Sequence, residues 1–265
     1  MDNTRIDWAD MTWNPVTGCR NGCPYCYAAR MARRFGNIDG GGGLYIMDEP
    51  MKTATADGKY VPAIYPFGFS PTFHRYRLDQ PARKKRPRNI FVCSMADLFG
   101  DWVPTRWIAE VLDACLAATQ HNYLFLTKNP ERYVRLDKLA LLPRRHNFWY
   151  GTTATKEGDP YFFSDFHNTF VSVEPMMGPM RPGSDGILVD WVIVGAETGP
   201  RADKVTPERA WVKDLMDDCK EKGVPIFMKG NLAGVWGEEL IQELPKALKK
   251  RGGAVCARRS ETERL

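Results

Sequence analysis

From residue 88 onward, short apolar runs alternate with amphipathic stretches along the chain. The runs Asn89–Cys93, Tyr123–Thr127, Asn147–Thr152, Thr169–Val173, Trp191–Gly195 and Val224–Met228 are rich in β-branched and aromatic residues. They are continuously apolar rather than alternating, which predicts strands buried on both faces, as in a parallel sheet. Between them, Pro104–Gln120 and Pro207–Lys222 carry helical periodicity. The second is predicted to start with Thr206 as cap and Pro207 in its first turn, and to end at Gly223. Repeated units of this kind predict an α/β fold, a partial (β/α) TIM-like barrel with parallel strands.

The strands end in polar residues: Ser94 and Asp97, Thr127 and Lys128, Thr152 and Thr153, Ser172 and Glu174, Glu197, then Lys229 and Asn231. A polar residue that opens a loop is ordinary, but in a βα barrel the C-terminal strand ends converge on one face. Six polar ends therefore predict a site there. Strand alternation sets Cys93 and Ser94 on opposite faces, so both reach that site only if the backbone departs from the pleat.

Segment 36–88 breaks the rhythm. It opens with GNIDGGGG, continues through the aromatic YPFGFSPTFHRYRL and ends in RKKRPR at 83–88. A stretch this long between regular elements predicts a binding insertion or lid. Residues 1–248 are expected to form a single barrel domain and 249–265 a flexible tail.

Composition narrows the class. The 265 residues are 43% hydrophobic and 26% charged, an ordinary globular balance. The longest apolar runs, such as WVIVGA at 191–196, are too short to span a bilayer. The start, MDNTRIDWADMTWNP, lacks the basic and apolar parts of a secretory signal. A cytoplasmic protein with no membrane partner is expected. The 37 basic and 32 acidic residues give a net charge of +5, which permits a polyanionic partner. Basic side chains concentrate at 83–88, where a phosphate-contacting role is as plausible as a solvated loop. The tail residues Lys249, Lys250, Arg251, Arg258 and Arg259 read as solvated.

Seven cysteines, an odd count without an export signal, argue against a disulfide framework. Cys93, Cys115, Cys219 and Cys256 are scattered. Cys19, Cys23 and Cys26 form C-x3-C-x2-C within TGCRNGCPYCYAARMARRF, and Tyr27, Met31 and Phe35 then recur at helical spacing. Three thiolates on one loop suit three corners of a 4Fe–4S cluster and leave one iron open to a ligand. A structural zinc would want a fourth ligand, yet the nearest histidine is His74. A redox disulfide would leave Cys19 unexplained, and a single catalytic thiol would need only one of the three.

C-x3-C-x2-C with an aromatic residue before its last cysteine resembles the signature of the radical S-adenosylmethionine (SAM) superfamily. The strings WADMTWNPVTGC, CPYCYAARMARRF, IFVCSMADLFGDWVP, LFLTKNPERY, VSVEPMMGPM, DWVIVGAETGP and WVKDLMDDCKEKGVPIFMKG together resemble a phage-borne family of three-cysteine proteins related to spore photoproduct lyase. Two departures stand out: many members have a longer gap between the first two cysteines, and Cys93 stands where asparagine is expected.

The resemblance implies a radical SAM core. Its 4Fe–4S cluster sits on Cys19, Cys23 and Cys26, with SAM on the open iron as the source of a 5′-deoxyadenosyl radical. It implies Ser94 and Asp97 as acceptors for the SAM amino group, and Lys128, Thr152 and Thr153 as partners of its carboxylate. Ser172 would lie near the ribose, and Gly195 and Glu197 would close the nucleotide pocket. Glu174 and Lys229 are the candidates for handling substrate protons. Cys93 is a candidate hydrogen donor, though a strand cysteine is more often a small buried hydrophobe. The expected substrate is a modified pyrimidine in DNA, and the reaction an isomerase- or lyase-type rearrangement or repair. An external electron donor such as flavodoxin, and the host cell cytoplasm, complete the expectation. A radical SAM enzyme for peptides or free nucleotides, and a non-catalytic metal-binding nucleic-acid module, are the alternatives.

Overall fold

Six of the strands that form the central sheet grow from the six apolar runs, and a seventh precedes them. The computed structural model describes residues 4–36, 38–55, 57–180, 188–198, 201 and 204–249. In chain order the strands are β1 (Met11–Trp13), β2 (Val16–Thr17), β3 (Tyr45–Met47), β4 (Lys52–Ala54), β5 (Tyr60–Pro62), β6 (Thr72–His74), β7 (Asn89–Val92), β8 (Asn122–Thr127), β9 (Phe148–Ala154), β10 (Asn168–Val173), β11 (Val192–Val194) and β12 (Ile226–Met228). The helices are α1 (Tyr27–Phe35), α2 (Thr105–Leu116), α3 (Pro130–Lys138), α4 (Arg209–Lys222) and α5 (Ala233–Trp236).

The main sheet runs β1-β7-β8-β9-β10-β11-β12, and each neighbouring pair is parallel. Spatial order follows chain order without a switch point. That is the winding of a βα barrel and not of a doubly wound sheet. The sheet curls into a half-barrel. The N-terminal segment reaches from one edge to the other, where Asp7 Oδ2 accepts from Gly230 N at 3.2 Å.

The pleat divides the strands between two cores. On the convex side Ile90, Val92, Tyr123, Phe125, Phe148 and Tyr150 pack with Trp107, Ile108, Val111 and Leu112 of α2 and with Tyr133 and Leu136 of α3. Farther along, Val171, Val173, Val192, Val194 and Met228 pack with Val212, Leu215 and Cys219 of α4. The alternate positions Phe91, Leu124, Trp149, Phe170, Trp191, Ile193 and Phe227 join Trp8 and Leu248 on the concave side, to which, among the described residues, none of α1–α5 contributes. Both sides are apolar, which is why the runs do not alternate. Gly151 shows how tightly the concave side fills: a Cβ there would lie 2.1 Å from the Phe170 ring, its register partner on β10.

Strand ends shift by one or two residues, and the helix boundaries move as well. α4 begins at Arg209 with Glu208 as N-cap and no side-chain cap bond, so Thr206 and Pro207 precede the helix; Gly223 ends it in the left-handed region. α2 stops at Leu116, not Gln120.

Segment 36–88 is only partly peripheral. β6 pairs antiparallel with β2 and parallel with β3, and Tyr65, Phe73 and His74 are fully buried. These three rings belong to the core and are closed to an outside ligand. Tyr60, in the β4–β5 hairpin, is exposed. The 83–88 run enters β7 at its N-terminal end, the end of the barrel away from the C-terminal strand ends. The tail from 250 lies outside the described residues.

Candidate functional site

A cleft of about 270 Å³ opens at the C-terminal ends of the parallel strands. Cys93, Ser94 and Asp97 reach it from β7, Lys128 from β8, Thr153 from β9, and Ser172 and Glu174 from β10. Glu197 follows from β11, Lys229 from β12, and Cys19, Cys23 and Cys26 from the loop after β2.

The cysteine loop is held by backbone. Gly18 N donates to Met95 O at 3.0 Å and Cys19 N to Phe69 O at 3.2 Å. Gly18 has φ +85°, and a Cβ on it would lie 2.3 Å from Ser70 O; glycine alone tolerates both conditions. At the far end of the loop Cys26 caps α1, its Sγ accepting from Ala29 N at 3.4 Å, while Cys19 Sγ accepts from Asn21 N at 3.5 Å.

All three cysteines are free and partly exposed. Burial pushes the Cys19 thiol up to about 12 and raises Cys23, with Lys128 acting against the latter. Such thiols ionise only when a cation replaces the proton. Among the described residues, no three His, Cys, Asp or Glu side chains form a group poised on one metal ion. A cluster is less demanding, since each thiolate takes a separate corner. Cleft-lining Trp8 is buried, and its Nε1 has no acceptor among the described residues. An unmet donor of this kind suits a bound polar ligand. The donor set and the cleft therefore fit a cluster with an adjoining ligand.

Asp97 holds the loop to the barrel. Its Oδ2 accepts from Asn21 Nδ2 at 2.9 Å and Lys128 N at 3.0 Å; its Oδ1 accepts from Thr127 Oγ1 at 2.7 Å and Phe99 N at 3.1 Å. Four donors occupy a carboxylate's usual capacity. The residue is built as a tether, with its lone pairs committed inside the protein at the cleft edge where the resemblance implied an acceptor for the SAM amino group. Ser94 Oγ donates to Asn14 Oδ1 at 3.2 Å and keeps lone pairs free.

Thr152 and Thr153 separate. Thr153 lines the cleft beside its register partner Ser172. Thr152 is fully buried and accepts from Phe162 N at 3.1 Å, so it stands outside the cleft. Cys93 and Ser94 both border the cleft, because Cys93 adopts φ +58° and breaks the pleat, but Cys93 is buried and packs in the core cluster on the α2 side. Burial raises the Cys93 thiol to about 12.

Glu174 and Lys229 form an ion pair. Gly195 lies against it: a Cβ there would be 3.0 Å from Lys229 Cδ and 3.4 Å from Glu174 Cδ. Gly195 thus makes room for the pair instead of lining the cleft. Glu197 is clamped by Arg201 through two bonds of 2.7 Å, which hold its carboxyl below the usual carboxylate range.

Residues 3–261 match the family described as Protein of unknown function (DUF5131). The chain belongs to that family. No curated protein and no solved structure matches it.

The DUF5131 chain also uses residues to which the sequence assigned no role at the site. Tyr25 lies under Lys128, its hydroxyl 3.1 Å from Nζ. Tyr27 donates to Ser94 O at 2.6 Å and lines the cleft mouth. Asn231 grips the Ala196 backbone through both amide atoms, at 3.1 and 2.7 Å. Asn21 and Tyr25 lie between the cysteines, and that position was the available signal.

Proposed function

We propose that this chain is a radical SAM enzyme acting on a modified pyrimidine in DNA. One observation carries the reading: three free cysteines on one loop share a cleft with the polar ends of six parallel strands. Cys19, Cys23 and Cys26 hold a 4Fe–4S cluster. When bound and reduced by one electron, the cluster with SAM supplies a 5′-deoxyadenosyl radical that can take a hydrogen atom.

The chain's own residues bind, orient and exclude water. Lys128 brings positive charge to the cysteine loop. Thr153 and Ser172, side by side in register, offer two hydroxyls to the SAM carboxylate and ribose, and Ser94 accepts from the amino group. Glu197, held by Arg201, closes the nucleotide end. The concave aromatic wall beneath keeps water from the reacting atoms. The Glu174–Lys229 pair faces the substrate side and holds or moves a proton there. Cys93 stays a protonated thiol; as hydrogen donor to a product radical it would be left a thiyl, which an electron from the external donor and a proton would restore.

The family resemblance supports DNA as substrate and a rearrangement or repair at the pyrimidine substituent as the outcome. An external donor such as flavodoxin supplies the electron. No helix among the described residues is long and apolar enough to cross a membrane.

Anaerobic reconstitution with iron and sulfide, then SAM and dithionite, tests the reading. The assay follows 5′-deoxyadenosine with and without phage-type modified DNA, with C19A/C23A/C26A as control. Cleavage that needs all three cysteines and rises with DNA is expected. Cleavage indifferent to DNA removes the proposed substrate, and no cleavage from a protein with a well-formed cluster ends the enzyme reading.

A further inference from the structure

Helix α1 starts at the cleft, with Cys26 as its cap and Tyr27 in the cleft wall, and runs outward over the surface. It buries only Ala28 and Ala32. Tyr27, Met31 and Phe35, four residues apart, are 43%, 40% and 47% exposed. Spacing of that kind sets them in one stripe. Arg30 and Arg34 flank the stripe on the side away from the buried alanines, with Arg33 beyond them. Arg34 lies over the Phe35 ring at 5.1 Å.

Large apolar side chains are not left in a continuous exposed row without use. Charge says what covers them. Residues 11–38 contain four arginines and no acidic residue. Arg30, Arg33 and Arg34 have no carboxylate partner among the described residues. A row of apolar and aromatic side chains interleaved with unpaired guanidinium groups has the chemistry that binds a single nucleic-acid strand. Bases stack on the rings, and phosphates meet planar cations. The 83–88 run cannot serve this cleft, because it lies at the N-terminal end of β7.

We propose that the exposed face of α1 is a track for a single DNA strand, which it leads to the cleft past Tyr27. This rests on the reading of the cleft as a DNA-modifying site and adds where the strand lies. Phosphates contact Arg30, Arg33 and Arg34, while bases stack on Phe35 and pack on Met31. Tyr27, fixed by its bond to Ser94 O, is the last platform before the reacting base enters. A base held in this way is already out of the duplex stack, as chemistry on it requires.

Anisotropy of a fluorescein-labelled single strand, over a range of salt, tests the track on the full chain. R30A/R33A/R34A is expected to weaken binding roughly tenfold or more and to lower the log–log salt slope by about 2, near 0.7 for each lost phosphate contact. M31S/F35S is expected to weaken binding about tenfold with the slope unchanged, because stacking is not ionic. Arg30 is half-buried and the other substituted side chains are exposed, and unchanged thermal melting confirms the fold of both variants. A variant with alanine at Arg83, Lys84, Lys85, Arg86 and Arg88 is expected to bind like wild type.

Unchanged affinity in both α1 variants overturns the proposal. So does a triple-arginine variant that slows reduction by flavodoxin while binding DNA normally, which would assign the face to an acidic protein. SAM cleavage without DNA is measured alongside. Strand binding through α1 with no SAM cleavage supports the track and removes the cleft reading. SAM cleavage without strand binding removes the track alone.

Discussion

Asn21 Nδ2 donates to Asp97 Oδ2 at 2.9 Å, and through this bond the loop between the first two cysteines is fastened to the end of the barrel. Asp97 is buried and takes three further donors from Phe99, Thr127 and Lys128. One carboxylate thus sets the relative position of the cysteine loop, β7 and β8. Asp97→Asn replaces an acceptor with an NH2 group facing donors. It should cost about 3 kcal/mol, the scale of one or two unmet buried bonds, and reduce iron retention after reconstitution. Asn21→Ala removes one bond at a partly exposed position and should cost about 1 kcal/mol. Urea denaturation and iron content check both. Full stability with normal iron in D97N would rule out the tether.

Cys93 has φ +58°, a conformation easy for glycine, accessible to asparagine and poor for branched side chains. Asparagine is also the residue that the family resemblance leads one to expect there. Cys93→Gly should therefore be close to neutral, with relief of backbone strain offsetting the lost thiol packing. Cys93→Val should be about 2 kcal/mol less stable than the glycine variant. Thermal unfolding of the pair decides; equal melting temperatures would mean that the strain is absent.

His74 is fully buried, with Nε2 2.8 Å from Thr17 Oγ1, and burial, aided by Arg77, lowers its pKa to about 3. The unfolded chain binds a proton near pH 6.5, but the folded chain does so only near 3. Stability from this group is complete above about 6.5 and falls as the pH drops toward 3, at up to about 1.4 kcal/mol per pH unit. His74→Gln keeps a polar partner for Thr17 and does not titrate, so its stability should fall less steeply across that window. Identical acid profiles for the two proteins would place the neutral histidine elsewhere.

Much of this arrangement could be read from the chain, and the failures have physical causes. Continuous apolar runs marked six strands because both faces of the sheet are packed. β1 was invisible because Met11–Trp13 is too short to form a run. Its place follows from pairing with β7. The polar strand ends marked the cleft, yet burial and the pleat then sorted them. Gly195 serves by having no side chain, and Asp97 by having no free lone pair. The left-handed turn at Cys93 has no signature in a hydrophobic pattern. The basic run at 83–88 precedes a strand whose far end carries the site, and strand direction alone places it on the other side.

The two threonines of β9 give the sharpest test of the pleat. Thr152 points away from the cleft, fully buried, and its hydroxyl accepts from Phe162 N at 3.1 Å. Thr153 points into the cleft beside Ser172. Valine has nearly the same shape as threonine and lacks the hydroxyl, so the two substitutions separate stability from binding. Thr152→Val strands the buried Phe162 N–H and should cost about 1–3 kcal/mol, with SAM affinity unchanged in the reconstituted protein. Thr153→Val breaks no internal bond of this kind among the described residues and should keep the wild-type melting temperature. Its SAM affinity should fall roughly fivefold, the equivalent of one ordinary hydrogen bond at about 1 kcal/mol. Calorimetric unfolding and equilibrium dialysis of SAM measure the two effects independently. If T152V weakens SAM binding while T153V weakens the fold, the alternation of β9 is reversed and the cleft must be rebuilt from the other face.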